Sequence, residues 1–151
     1  MFSKTTEYAL RATLYITQTT KVDELVSLED IAAAIGSPRS FTAKIMQDLT
    51  RNNILVTSAR GPNGGFSLSE KSRQKPAKVI LDIMGEFELL KKCVIGLSKC
   101  SETQPCPLHY EYKAIRQQLT SLFHDNTIQE LAGKIGKDKV VINIEERVKR
   151  K

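Results

Sequence analysis

The sequence predicts a mostly α-helical chain interrupted by one short β-hairpin. Three observations lead there. Apolar residues recur at three- and four-residue steps through the first fifty positions and again beyond Cys106. The stretch Arg60-Gly-Pro-Asn-Gly-Gly65 separates two short runs with strand character. Gly36, followed at once by Ser37-Pro38, sets two helices on either side of a tight turn.

Taken in order, residues 4–18 contain no Gly or Pro, and Tyr8, Ala9, Ala12, Tyr15 and Ile16 fall at helical spacing. This is a first, partly buried helix. Ser27 reads as the N-cap of a second, with Asp30 as its capping-box partner and Leu28, Ile31, Ala32 and Ile35 as its apolar stripe. Gly36 ends it. Ser37 at an N-cap and Pro38 at the first helical position start a third helix that runs to about Asn52. Phe41, Ile45 and Leu49 should face inward. Arg39, Ser40, Thr42, Ala43, Lys44, Gln47 and Arg51 take the other side, with Asp48 its one acid. Two short helices about a Gly turn are a helix-turn-helix signature, though any small helical hairpin shares it.

Residues 54–68 favour recognition. Positions 54–59 read as a strand and Phe66-Ser-Leu68 as its return. The Gly-rich tip between them carries no bulky side chain, so it can approach a phosphate backbone or a narrow minor groove, with Arg60 supplying charge. A nucleotide-cradling loop is excluded, because no Gly-Lys-Ser/Thr ending and no suitably placed helix come after it. Helix-turn-helix plus hairpin is a winged helix, assigned to residues 1–75.

Residues 70–78 read as a polar linker, and Val79, Ile80, Ile83, Met84 and Phe87 as a fourth helix. The next stretch, 93–109, holds all three cysteines, Cys93, Cys100 and Cys106, and ends on His109, one of two histidines. Thiolates and an imidazole within one loop suit a metal or redox centre. The bland alternative is small apolar residues near a helix start. Beyond the loop, Leu108, Tyr112, Ile115, Leu119 and Leu122 repeat at steps of four, three, four and three. That heptad-like seam suits a long dimerisation helix, the alternative being a helix folded onto its own domain. A short helix beginning at Asn126 or Thr127 closes a second region, 76–135. Residues 136–151 form a basic tail ending in Arg147, Lys149, Arg150 and Lys151, read either as disordered or as extra phosphate attraction.

Bulk properties agree. At 151 residues and 40% apolar content, the chain suffices for one domain or a domain with an appended helix. A net charge of +6 and a pI near 9.3 suggest a polyanionic partner. There is no apolar export core at the start and no run of about eighteen apolar residues, so a cytoplasmic protein without a membrane span is expected. In that reducing setting an odd trio of clustered cysteines points to metal or redox chemistry rather than disulfides. No catalytic acid, oxyanion site or substrate pocket is visible, and the chain does not read as an enzyme.

Tyr8-Ala-Leu-Arg11, Arg60-Gly-Pro-Asn-Gly-Gly65-Phe66, the three cysteines and Thr127-Ile-Gln-Glu-Leu131 together resemble the IscR/NsrR family of dimeric winged-helix transcriptional regulators. The resemblance spans about Met1 to Ala132. It implies an iron–sulfur cluster on Cys93, Cys100 and Cys106, with His109 or Glu7 as fourth ligand, the carboxylate coming from the partner subunit. Histidine implies a 2Fe–2S cluster, which is favoured because imidazole is the better attested substitute for thiolate there; glutamate implies 4Fe–4S. The first cysteine gap holds six residues, one more than the resemblance implies. The implied function is a homodimer whose affinity for double-stranded DNA is switched by the cluster. The alternative is a cluster-free regulator answering to a small molecule or thiol oxidation. Ser40, Lys44 and Gln47 are the expected base-edge contacts, Arg39 and Arg51 phosphate contacts, and Arg60 with the backbone of Gly64 and Gly65 the wing contacts. The family's glutamate on the third helix is Ala43 here, so its target sequence does not carry over.

Overall fold

Capping residues set the first two helices of the computed structural model, which describes residues 1–138 and 140–144. Ser3 accepts the Thr6 N–H at 3.2 Å and starts α1 (Lys4–Thr19). Ala9, Ala12 and Ile16 form its fully buried stripe. Thr13 and Thr17 share that stripe because their hydroxyls donate to the Ala9 and Thr13 carbonyls at 2.9 and 2.8 Å, leaving no polar group unpaired. Ser27 accepts the Asp30 N–H at 3.1 Å to open α2 (Leu28–Ile35). Gly36, with φ +67°, stops it.

The next turn departs from expectation. The Ser37 N–H bonds back to the Ala32 carbonyl at 3.0 Å, so Ser37 completes the stop of α2 and does not cap the next helix. Pro38, with ψ 141°, occupies the cap position and Arg39 is the first residue of α3 (Arg39–Thr50). Ile45, Met46 and Leu49 of α3 are fully buried. Thr42 is buried with them, its hydroxyl donating to the Pro38 carbonyl at 3.0 Å, and so does not belong to the exposed side.

The wing is shorter than the sequence suggests. Leu55 and Val56 turn into the core, leaving β1 (Thr57–Ala59) to pair antiparallel with β2 (Gly65–Ser67) in the register Thr57↔Ser67. Val26 bridges Phe66 from the other side, with both N–H···O contacts at 2.9 Å. In place of a linker, Ser69 caps a single turn of helix, α4 (Glu70–Arg73). The expected fourth helix is split. α5 (Lys78–Ile83) ends before Gly85, whose φ of +73° reverses the chain, and Phe87–Lys91 forms a 3-10 turn. After the cysteine loop come α6 (His109–Asp125) and α7 (Ile128–Ala132), the latter started by a complete Thr127–Glu130 capping box.

One core joins regions on both sides of residue 75. Ile80 of α5 and Ile128 of α7 pack in the same cluster as Ile16, Ile31, Ile45 and Leu55. A smaller cluster, Leu81, Phe87 and Leu90, takes Leu10 of α1 on one side and Leu119 and Phe123 of α6 on the other. No helix among the described residues is long and apolar enough to cross a membrane.

Candidate functional site

The helix-turn-helix is locked to α1 by Arg11. Its guanidinium lies 4.4 Å from the centroid of the Tyr8 ring and donates to the Ile35 carbonyl at 3.1 Å, satisfying an end carbonyl of α2. Tyr8 in turn meets Phe41 of α3 edge-on, with ring centroids 5.8 Å apart. The Tyr-Ala-Leu-Arg stretch thus orients both helices. On α3, Ser40, Lys44 and Gln47 are exposed. Arg39 reaches across to Glu29 at the start of α2 at 2.6 Å, and Arg51 pairs with Asp48 at 2.9 Å. Both arginines sit in exposed pairs, which contribute little and leave them free to exchange a carboxylate for a phosphate. The Arg39 contact holds the Glu29 carboxyl below the usual carboxylate range.

Glu29 also lines a cleft shared with Gly61 and Pro62 of the wing. The start of α2, the start of α3 and the wing therefore meet on one side of the molecule. Arg60 is exposed at the wing and forms no ion pair among the described residues. Gly65 serves packing as well as access. A side chain there would drive into the Val26 backbone, and one at Gly64 into the Ala59 carbonyl. Gly65→Ala is therefore expected to destabilise the fold by about 2 kcal/mol, lowering the melting temperature by roughly 4–8 °C in thermal denaturation. An unchanged melting temperature would show that the hairpin yields freely.

The cysteine loop leaves the 3-10 turn and re-enters at the first residue of α6. Gly96, with φ +82°, folds its N–H back onto the Cys93 carbonyl at 3.0 Å. Cys93 is buried. Burial pushes its thiol up, but the N–H groups of Ile95, Leu97 and Gly96 and the Cys106 side chain outweigh this and hold it below the ordinary thiol range. Cys100 Sγ stands 3.3 Å from His109 Nδ1. The His109 side chain is 2% exposed, and its Nε2 has no hydrogen-bond partner. Glu102 Oε1 is 3.7 Å from that nitrogen and is bound instead to Lys113, which keeps the Glu102 carboxyl below its usual range.

Of the four expected donors of the loop, Cys100 and His109 stand side by side. Among the described residues, no three His, Cys, Asp or Glu side chains surround one point where a single ion would sit. An open cleft of about 670 Å³ borders Cys93 and Cys100, rimmed by Lys91, Lys92 and Lys99. Glu7, in the first turn of α1, is bound to Lys4 at 3.0 Å.

The seam on α6 divides. Leu119 turns inward with Phe123, while Leu108, Ile115 and Leu122, seven residues apart, are 48, 52 and 52% exposed. His109 is the one buried residue of α6, and Arg116 anchors the helix by donating to the Lys91 carbonyl at 3.2 Å. Sequence reasoning missed Arg73. It is 3% exposed and donates to the carbonyls of Leu68, Thr17, Thr20 and Lys21, at distances between 2.7 and 3.2 Å. Nothing in Ser72-Arg73-Gln74 signals this.

Residues 2–134 match the Rrf2 family, described as an iron-dependent transcriptional regulator. A helix-turn-helix-type transcriptional regulator of Aquifex aeolicus is 34% identical over 149 residues, covering 97% of this chain and 94% of the relative. The regulator IscR of Pectobacterium atrosepticum is 26% identical over 122 residues, covering 81% of this chain and 71% of the relative. Among solved structures, the global cysteine regulator CymR of B. subtilis superposes with a TM-score of 0.72 at 19% identity, covering 89% of this chain and 98% of its own. That superposition shows the same winged-helix fold. With the sequence match running through the helix-turn-helix, the wing and the cysteine loop, the chain belongs to the Rrf2 family of DNA-binding transcriptional regulators.

Proposed function

We propose that the protein is a cytoplasmic homodimer whose affinity for operator DNA depends on an iron–sulfur cluster held by Cys93, Cys100, Cys106 and His109. The observation that carries this reading is the state of the donors. Cys93 is held toward thiolate by three backbone N–H groups, and His109 presents a buried Nε2 that no protein group satisfies. Thiolates and one imidazole would suit a two-iron cluster, with Cys100 and His109 already side by side to serve as two of its ligands. His109 is the better fourth ligand because it lies beside Cys100.

Such a cluster, when bound, supplies a group sensitive to oxidation and nitric oxide. The chain's part is mechanical. The loop joins the 3-10 turn to the first residue of α6, and α6 rests on Leu81, Phe87 and Leu90. Reordering the loop therefore shifts α6 against the cluster that also holds Leu10 of α1, and α1 in turn packs on the helix-turn-helix. Across a two-fold axis, that shift alters how the paired α3 helices meet successive half-sites, with Ser40, Lys44 and Gln47 on base edges, Arg39 and Arg51 on phosphates, and Arg60, Gly64 and Gly65 at the wing.

Anaerobically purified protein is expected to be coloured and to carry about two iron and two sulfide per chain. Each of Cys93→Ala, Cys100→Ala, Cys106→Ala and His109→Ala should lose the colour, and Glu7→Ala should keep it. Loss of colour in the Glu7 variant alone would make glutamate the ligand. Operator affinity, measured by fluorescence anisotropy at fixed salt, should differ at least fivefold between cluster-bound and cluster-free protein. Equal affinity would remove the switch.

A second reading, a cluster-free regulator answering to a small molecule or thiol oxidation, is favoured by the absence of any three converging donors among the described residues. Protein that stays iron-free after reconstitution would establish it.

A further inference from the structure

The family match ends at residue 134, and the described chain beyond it returns to the helix-turn-helix. Gly136, with φ +81°, turns it, and its N–H donates to the Val140 carbonyl at 2.9 Å. The Val140 N–H closes the turn on the Lys137 carbonyl at 2.8 Å. Ile142 and Asn143, both half-buried, then line a groove of about 390 Å³ together with Tyr15 of α1 and Ala33 and Ala34 of α2. The Asn143 amide lies against Gly36. A Cβ placed at Gly36 would stand 3.0 Å from Asn143 Nδ2 and 3.3 Å from its Oδ1. Gly36 therefore meets two demands at once: its φ of +67° favours glycine, and Asn143 fills the space a side chain would take.

Gly36 is the residue at which the chain leaves α2, three positions before Arg39 opens α3. Ile35 is fully buried beside it, and Arg11 donates to the Ile35 carbonyl at 3.1 Å. Those two contacts fix the end of α2. Asn143 acts one residue later, on the turn itself. The turn has few other ties of its own. α3 begins without a side-chain cap, and the buried Ser37 hydroxyl has no hydrogen-bond partner among the described residues.

We infer that Asn143 is a positioning residue for DNA reading: residues 140–144 brace the α2–α3 turn at Gly36 and so fix the first turn of α3, which carries Ser40. This role rests on α3 reading base edges, as proposed above. A turn held before DNA arrives has less freedom to lose on binding, and it keeps the orientation in which base-edge contacts form. Asn143 is uncharged, so the brace acts on sequence discrimination and leaves phosphate attraction alone.

The test uses the intact chain, Asn143→Ala, and the double variant Ile142→Gly/Asn143→Gly, all of the same charge, with the melting temperature as a folding control. A duplex selected by the intact chain from a random pool serves as specific DNA, and a scrambled duplex of the same length as nonspecific DNA. The Gly36 and Ser37 amides, bonded to the Ala33 and Ala32 carbonyls, should exchange with solvent about tenfold faster or more in the double variant, with α6 unchanged. Affinity for the selected duplex should fall about tenfold, while affinity for the scrambled one and its dependence on salt stay within about twofold. Asn143→Ala should show the same pattern more weakly, and it decides the matter if the double variant does not fold. Unchanged exchange at Gly36 and Ser37, or unchanged affinity for the selected duplex, overturns the brace. Equal losses on both duplexes overturn its role in discrimination. An intact chain that enriches no duplex overturns the reading of α3 along with it.

Discussion

Arg73→Met is expected to destabilise the protein by about 3 kcal/mol, a fall of roughly 6–12 °C in melting temperature for a chain of this length. Arg73 is 3% exposed and, among the described residues, forms no ion pair. Its guanidinium instead gathers the carbonyls of Thr17, Thr20 and Lys21 at the end of α1, the Thr20 hydroxyl, and the Leu68 carbonyl behind the wing. A permanently charged planar fork suits this task, because its donors spread to several acceptors at once and the end of a helix carries partial negative charge. Methionine fills much of the volume but leaves those carbonyls without donors, and each buried orphan costs about 1–3 kcal/mol. Lysine, with one ammonium, should recover only part of the loss. Urea denaturation followed by circular dichroism checks the order intact, Lys, Met. A methionine variant within about 1 kcal/mol of the intact protein would show that water satisfies these carbonyls.

The double substitution Ile115→Glu/Leu122→Glu is expected to convert the protein from twice to once its 16.9 kDa chain mass in light scattering. Leu108, Ile115 and Leu122 present an apolar stripe one heptad apart along α6, each about half exposed in the single chain. Such a stripe is covered when two copies pack helix on helix. Two carboxylates placed in the seam would have to be desolvated opposite their own symmetry mates, which opposes association. Leu119 and Phe123, which hold α6 to its own core, are untouched, so the monomer should keep its circular dichroism spectrum. Loss of the second half-site contact should weaken operator binding by about 100-fold or more. An intact protein that is monomeric at micromolar concentration would refute the dimer, whereas a double variant that stays dimeric would move the interface off this stripe.

Much of this architecture was legible because it is written locally. Ser27, Gly36 and Thr127 announce helix ends through their own backbone chemistry, and the Gly-rich turn after Arg60 announces a hairpin. Local patterns misled where a residue serves a neighbour distant in sequence. Ser37-Pro38 has the form of a helix start, yet Ser37 is used to finish α2. Thr42 is polar, but its hydroxyl is satisfied within α3, which lets it face the core. The hydrophobic seam on α6 looked uniform because helical spacing cannot say which of two partners a residue meets; Leu119 meets its own domain while Ile115 does not.

The sequence alone determined the first three helices, the winged helix, the grouping of three thiols and an imidazole in one loop, and through its motifs the family. Tertiary structure decided that His109 is buried beside Cys100, that Arg73 ends α1, that Arg11 fixes α2, and that Asn143 sits on Gly36. Each of these joins groups far apart along the chain, and no local pattern encodes a contact whose geometry exists only once the core has brought both ends together.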